Sequence, residues 1–309
     1  MLRVMERRNF PVSSLRLLAS PRSAGKTLDF QGKKHTVEPL HLNSFEGIDI
    51  VLFSAGGSIS RDFATQAVKN GAVVVDNSSA FRMHADVPLV VPEINGADVK
   101  NHKGIIANPN CTTAISLLAL NPLHRAFGVK RIFASSYQAV SGAGARAISE
   151  LSRQTDAVAK GRTIEKEIFP HQIAFNVIPQ VDTFLDTGYT KEEMKMQNEG
   201  RRIMHLPTFK ASVTCVRVPV YRAHSIAISA EFEKPVDLDT ARAALRSAPG
   251  LQFMDHGYPM PLDCAGKDDC FAGRLRTDCA LENGLALWVC GDQLLKGAAL
   301  NAIQIAELL

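Results

Sequence analysis

No stretch of this 309-residue chain strings together the ~18 apolar residues that a membrane-spanning helix needs. The opening Met1-Leu2-Arg3-Val4 leads into no apolar signal-peptide core, so the cytoplasm is the expected compartment and no membrane partner is expected. Charge of one sign is also scarce: 35 basic against 31 acidic residues leave only +4. The clustered basic stripe that nucleic acid requires is missing, whereas a small anionic substrate suits the sign. Six cysteines, Cys111, Cys215, Cys264, Cys270, Cys279 and Cys290, include no Cys-x-x-Cys pair and no histidine at ligand spacing, which argues against zinc. In a reducing compartment they stay thiols, most of them small buried apolar side chains. Internal repeats and low-complexity tracts are absent.

What is there reads as an ordinary globular chain, 46% apolar and 21% charged, long enough for two domains or one elaborated α/β unit. The first ten residues, with Leu2, Val4 and Met5 among Arg3, Glu6, Arg7 and Arg8, read as the end of an amphipathic helix closed by Pro11. A short strand over 15–19, a turn through Pro21 and Gly25, and a hairpin around Gln31-Gly32-Lys33-Lys34 follow. The apolar runs 48–53 and 72–75, with a helix near 61–69 between them, predict buried parallel strands. Ile105-Ile106-Ala107 adds another strand, then Asn108-Pro109-Asn110-Cys111 turns into a helix over 112–120. Beyond Lys130 come a strand over 131–137, a Gly-rich turn, a long helix over 145–160 and a strand from Ser212. The expected domains are 1–112, 113–290 and a single helix over 291–309 that returns to the first.

Cys111 lies where a strand's end meets a helix's start, so backbone N–H groups and the positive end of the helix dipole face its sulfur and favour thiolate. Asn108 or Asn110 can cap that helix, and Thr112 and Thr113 can add hydroxyl donors, making a pocket for an oxyanion or phosphate. On this local pattern alone a buried structural cysteine is the commoner reading.

The whole hexapeptide Asn108-Pro109-Asn110-Cys111-Thr112-Thr113 resembles the nucleophile loop of aspartate-semialdehyde dehydrogenases. Further matches follow in the family's order: Ser136-Tyr137-Gln138-Ala139-Val140-Ser141-Gly142-Ala143-Gly144, Glu192-Glu193-Met194-Lys195, the run from Arg217 to Ser225, and Gly291-Asp292-Gln293-Leu294. The resemblance implies an α/β fold: a Rossmann-like NADP-binding domain followed by an α+β catalytic and dimerisation domain of the glyceraldehyde-phosphate-dehydrogenase type. It implies reductive dephosphorylation of L-aspartyl 4-phosphate to the semialdehyde through a Cys111 thioester, which splits one difficult step into two. The product would feed lysine, threonine and methionine biosynthesis.

By the same resemblance, His224 is the general acid/base at the hemithioacetal oxygen, a task suited to a pKa near neutrality. Gln138 orients the substrate carbonyl, Arg217 forks onto the substrate carboxylate, Glu192 takes the ammonium, and Lys195, Arg82 and Asn110 complete the substrate and phosphate site. Without the motifs each of these reads as a solvated or structural side chain. Arg217 and His224, seven apart, would face opposite sides of one regular strand, so a break at Pro219 is required for them to share a site. Glu192 and Lys195 share a helix face that Thr190 starts, with Glu193 closing a capping box.

For the cofactor, Arg22 and Ser23 after the second strand suit the phosphate of NADP, where an NAD site would place an acid. Ser54, Ala55, Gly56, Ser141, Gly142 and Gln293 match further family contacts. No Gly-x-Gly-x-x-Gly loop precedes residue 50. The only similar pattern, Gly142-Ala143-Gly144-Ala145-Arg146-Ala147, falls after Gln138, near the nicotinamide in the family. The expectation is therefore an N-terminally truncated chain without the first strand and its loop, with unpaired strand edges as the consequence. The competing readings are another acyl-phosphate reductase, such as an N-acetyl-γ-glutamyl-phosphate reductase, and an inactive homologue with a structural role. Glu192 together with Arg217 favours a free amino-acid head group over the acetylated one. The family implies a homodimer or homotetramer.

Overall fold

Two short β-branched runs, Val73-Val74-Val75 and Ile105-Ile106, lie in the first half of the chain, their strands followed by Asn77 and Asn108. A computed structural model describes all residues from Met1 to Leu309. They fall into two compact units, Met1–Pro109 with Ala298–Leu309, and Asn110–Gly297.

The first unit runs α1 (Leu2–Arg7), β1 (Leu17–Ala19), β2 (Thr27–Phe30), β3 (Lys33–Pro39), β4 (Ile50–Phe53), α2 (Gly57–Lys69), β5 (Val73–Asp76), α3 (Pro92–Asn95) and β6 (Ile105–Ala107). The helix, strand and hairpin expected before residue 40 are all present. Gln31 and Gly32 both take positive φ, 49° and 73°, which gives the β2–β3 hairpin the twist its strands need. The strands form two three-stranded sheets, β1-β3-β2 and the all-parallel β4-β5-β6. Strands β1 and β4 each carry a ladder on one side only.

The second unit runs α4 (Cys111–Phe127), β7 (Val129–Ala139), α5 (Ala145–Ala159), α6 (Lys191–Ile203), β8 (Lys210–Val218), β9 (His224–Phe232), α7 (Leu238–Arg246), β10 (Leu251–Phe253), α8 (Pro261–Cys264), β11 (Cys270–Thr277) and β12 (Gly284–Gly291). Its mixed sheet has the order β10-β11-β12-β9-β7-β8. Helix α4 is apolar on nearly every side because it is the core: Ile115, Leu117, Leu118, Leu120 and Leu123 are all buried. It packs on β7, β9 and β12. The opposite face of the sheet leaves Phe133 and Tyr137 exposed, with Tyr137 5.4 Å from the Trp288 ring.

The chain then returns to the first unit as α9 (Leu300–Ala306), whose Ala302, Ile305 and Ala306 close a core with Val75, Val90, Val99 and Ile106. One helix over 291–309 is thus corrected. Gly291 ends β12, a wide turn over Leu295–Ala299 follows, and regular helix begins only at Leu300. Asp292 caps the start of this segment, its Oδ1 accepting from Leu294 N at 2.9 Å and Leu295 N at 3.3 Å, and its carbonyl accepts from Gly297 N at 3.2 Å, the wide spacing that makes the first turn broader than an α-helix. The unit boundaries accordingly fall after Pro109 and Gly297, against the expected 112 and 290.

Candidate active site

Cys111 is the first residue of α4 and half-buried. Asn110 caps that helix, its Oδ1 accepting from Thr113 N at 3.1 Å, while its own N–H donates to Glu199 Oε2 at 2.6 Å. The thiol therefore sits at the N-terminal end of a 17-residue helix whose start is pinned on both sides. Gly297 presses on it from the far side of the unit: a Cβ there would lie 2.5 Å from Cys111 Cβ. Burial pushes the thiol of the nearby Cys215 up to about 12, which keeps it protonated.

Strand β7 lies between β8 and β9, and this order solves the parity problem of Arg217 and His224. Strand β8 stops at Val218 and β9 starts at His224, so the two residues stand on different strands flanking β7, with the break at Pro219 as expected. Ala139 at the end of β7 serves both. Its N–H donates to His224 Nδ1 at 3.0 Å and its carbonyl accepts from Arg217 Nη1 at 2.7 Å. Both side chains reach Gly142, where a Cβ would fall 2.9 Å from Arg217 Nη1 and 3.4 Å from His224 Nε2. Any side chain at 142 would fill the space in front of the imidazole.

His224 is fully buried, and its Nε2 has no protein partner. Because Nδ1 accepts a backbone N–H, the ring's proton belongs on Nε2. Burial, followed by the nearby Arg217 guanidinium, holds the imidazole down to about 3. This corrects the near-neutral pKa expected from the sequence: a general acid exposed to solvent would titrate near 6.5, but here complete burial and the Arg217 charge outweigh the Glu192 carboxylate, which favours the imidazolium.

Glu192 is the hub on the other side. Its Oε1 accepts from Asn110 Nδ2 at 2.9 Å and Gln138 Nε2 at 3.1 Å, and its Oε2 lies 2.7 Å from Lys195 Nζ. Burial opposes its ionisation, but Lys195's charge and the hydrogen bonds from Lys195, Asn110 and Gln138 outweigh it and keep the carboxyl below its usual range. The capping box read from Thr190 and Glu193 is present and sets the helix face that delivers Glu192 and Lys195. Arg217 feels the charges of Cys111 and Glu192, so the thiol, the guanidinium and the carboxylate belong to one electrostatic group.

Of the expected cofactor residues, Ser141 and Gly142 lie in the short turn after β7, and Ser141 Oγ accepts from Gln293 Nε2. Gln293 is itself buried, and its Oε1 accepts from Ala223 N at 2.8 Å, so both ends of its amide are engaged inside the second unit. Arg22 and Ser23 occupy the turn after β1, and Ser54, Ala55 and Gly56 the turn between β4 and α2. Gly56 takes φ 90° and caps α2 without a side-chain hydrogen bond. Arg82 is buried in the first unit, donating from Nε to Asn108 O at 2.8 Å and from Nη2 to Asn77 O at 2.9 Å. Sequence reasoning missed Ala139, whose contribution is entirely main chain, and Glu199 and Asp292, whose buried carboxylates leave no local pattern. It also missed Asp76, which ends β5 and accepts from Ser60 Oγ and Ser78 Oγ, each at 2.7 Å.

The parallel sheet β4-β5-β6 of the first unit, with an open helix N-terminus at its end, and the thiol, guanidinium and buried imidazole of the second are the features of a nucleotide-dependent dehydrogenase working through cysteine. Residues 1–102 match the family model "Semialdehyde dehydrogenase, NAD binding domain" and residues 120–296 match "Semialdehyde dehydrogenase, dimerisation domain". The whole chain is 54% identical to the aspartate-semialdehyde dehydrogenase of Aquifex aeolicus and 49% to that of Bacillus subtilis, covering 93% of each. It superposes with TM-score 0.98 on aspartate semialdehyde dehydrogenase II of Vibrio cholerae, at 45% identity over 100% of this chain and 93% of that one. A Vibrio cholerae structure described as complexed with ASA gives the same TM-score at 44% identity. The chain belongs to the aspartate-semialdehyde dehydrogenase family.

Proposed function

We propose that this chain reduces L-aspartyl 4-phosphate to L-aspartate 4-semialdehyde and phosphate with NADPH, by way of a thioester on Cys111. The observation that carries the mechanism is the partnerless Nε2 of His224, buried next to Arg217 and facing the space that Gly142 leaves open. Cys111, favoured as thiolate by the α4 N-terminus, attacks the acyl-phosphate carbon, and the C–O bond to phosphate breaks to release phosphate and leave the thioester. Arg217 orients the substrate carboxylate with its planar fork, and Glu192 exchanges a present donor for the substrate ammonium. Lys195, Arg82 and Asn110 are the proposed substrate and phosphate ligands, and Gln138 the group that aligns the carbonyl. When bound, NADPH supplies the hydride that converts the thioester to a hemithioacetal. His224 presents its Nε2 proton to the oxygen of that adduct, as a neutral donor whose effect grows with the charge on oxygen. Collapse of the adduct expels the Cys111 thiolate and releases the aldehyde.

The first unit fits the nucleotide. The C-terminal ends of β4 and β5 present the uncapped start of the 13-residue α2 and the buried, unsatisfied Oδ1 of Asn77, an acceptor awaiting a donor. Ser54, Ala55 and Gly56 would hold the nucleotide there, Arg22 and Ser23 its extra phosphate, and Ser141 and Gly142 would lie near the nicotinamide. The matched dimerisation domain supports a homo-oligomer, and a homodimer through the open sheet face bearing Phe133, Tyr137 and Trp288 is proposed. Cytoplasmic placement is proposed on the six cysteines, none of which is in a disulfide; no helix is long and apolar enough to cross a membrane.

The test is phosphate-dependent NADP reduction with aspartate semialdehyde, comparing this chain with Cys111→Ser. Loss of at least about 10³-fold is expected for a missing covalent nucleophile. Activity retained in Cys111→Ser overturns the mechanism. Turnover of N-acetylglutamate semialdehyde in preference to aspartate semialdehyde overturns the substrate assignment.

A further inference from the structure

The β9–β12 ladder ends with the pair His224 and Gly291. Past that point the next two side chains engage the segment before His224, one through a backbone N–H and the other through a side-chain ion pair. Gln293 Oε1 accepts the Ala223 N–H at 2.8 Å, and Asp292 Oδ2 lies 2.6 Å from Arg222 Nε. Asp292 is fully buried and also accepts from Gly266 N at 2.6 Å, so it is anchored independently of Arg222. Between these contacts Ala223 holds φ +72°, a left-handed conformation unusual for a residue with a Cβ, and it does so fully buried, directly before His224.

The other end of the Gln293 amide donates to Ser141 Oγ. This turn is already bound to the segment before His224, through Val140 N to Val220 O at 2.9 Å and Ser141 N to Tyr221 O at 3.3 Å. Gln293 therefore ties together the two segments that carry Gly142 and His224, and it supplies the acceptor that makes the strained turn at Ala223 tenable. We propose that Asp292 and Gln293 are positioning residues for His224, a side-chain clamp that fixes Ala223 in its left-handed conformation and so aims Nε2 at the substrate oxygen. This rests on the role given to His224 above, and it gives Gln293 work distinct from contact with the cofactor.

Gln293→Met keeps the length of the side chain and removes both hydrogen bonds. It is expected to lower kcat by roughly 10–100-fold, as a misplacement of about 1 Å does, while KM for NADP and for aspartate semialdehyde stays within a few-fold. Two rescues follow. Gln293→Glu retains the acceptor for Ala223 N and should recover most of the loss. Ala223→Gly in the Gln293→Met background adopts positive φ without strain and should recover part of it, whereas glycine added to a merely loosened structure would worsen it. The activity-independent readout is the imidazole 15N spectrum, with the His224 signal assigned by its loss in His224→Asn. The protein should show a neutral ring protonated on Nε2. Gln293→Met should show tautomer exchange or protonation within pH 5–8, reversed by Ala223→Gly. Arg217 on β8 and Glu192 on α6 are the charged groups bearing on the ring, and both are unchanged in these variants. An unchanged His224 signal in Gln293→Met, the absence of rescue by Ala223→Gly, or a KM for NADP that rises in step with the loss of kcat overturns the clamp. A chain that does not turn over aspartate semialdehyde but shows the expected 15N changes overturns the functional reading and leaves the clamp standing.

Discussion

Gly297→Ala is a small perturbation that reaches the proposed nucleophile, Cys111, without changing its side chain. The added Cβ would stand 2.5 Å from Cys111 Cβ, 3.0 Å from Cys111 Cα and 3.4 Å from Gln293 Cβ. Non-bonded carbons rest at about 3.5–4.0 Å, so roughly 1 Å must be made up by moving backbone on one side or the other. Neither side yields easily: α4 is capped by Asn110 and buried along its length, and the turn carrying Gly297 donates its N–H to Asp292 O at 3.2 Å. Overpacking of this kind costs about 1–3 kcal/mol of stability, and a displacement of about 1 Å at the reacting sulfur costs about 100-fold in kcat. The control is Gly284→Ala at the other end of β12, where the new Cβ meets Leu281 Cβ at 2.7 Å and Asp278 Cβ at 2.8 Å. Thermal unfolding should show comparable losses in both variants. Turnover and the rate of Cys111 alkylation by iodoacetamide should fall only in Gly297→Ala. A Gly297→Ala protein as unstable as the control but fully active would refute the claim that this glycine is kept for the thiol.

Three further outcomes are expected. Because His224 is held near 3 while an unfolded histidine titrates near 6.5, the unfolded chain takes up a proton first as pH falls; the stability contributed by the neutral ring is complete above about 6.5 and declines toward 3, by up to about 1.4 kcal/mol per pH unit. Urea midpoints from pH 7 to 4 should therefore fall less steeply in His224→Asn than in the parent chain, and identical slopes would contradict the buried neutral ring. Arg217→Lys keeps the charge but loses the fork and the Ala139 carbonyl contact, so KM for aspartate semialdehyde should rise roughly 10–100-fold with a smaller change in kcat. Steady-state kinetics showing the reverse split would move Arg217 out of the substrate site. Tyr137→Glu, on the exposed sheet face, should give monomers in sedimentation velocity at micromolar concentration, and an unchanged oligomer would place the interface elsewhere.

The parts of the site legible in the sequence are those with a local signature. Asn110 before Cys111, the Thr190–Glu193 box and the proline between Arg217 and His224 each announce a cap, a start or a break, and each appears in the structure at its place. The parts that were not legible depend on partners far along the chain. Asp292 stands 26 residues from Gly266, whose N–H it accepts, and the wide turn over Leu295–Ala299 precedes α9 although the spacing of Leu294, Leu295 and Ala298 is helical. Likewise nothing in the residues around Ala223 signals positive φ, because the acceptor that stabilises it, Gln293, comes 70 residues later. The histidine's low pKa belongs to the same class: it follows from complete burial and from the Arg217 guanidinium on a neighbouring strand, neither of which has a local motif.

Ala139 spends its N–H on His224 and its carbonyl on Arg217, with no side-chain polarity of its own. The ring proposed to stabilise the reacting oxygen and the fork proposed to read the head group thus share one residue of main chain, through which a change in either is expected to reach the other. A change of fork is for that reason expected to carry a cost in rate, smaller than its cost in KM, alongside the change in selectivity. A variant selected to accept a longer or differently charged head group at Arg217 would alter the imidazole's aim as well, and restoring turnover would require a second change on the β9 side. Substrate preference in such a scaffold should shift by paired substitutions rather than single ones.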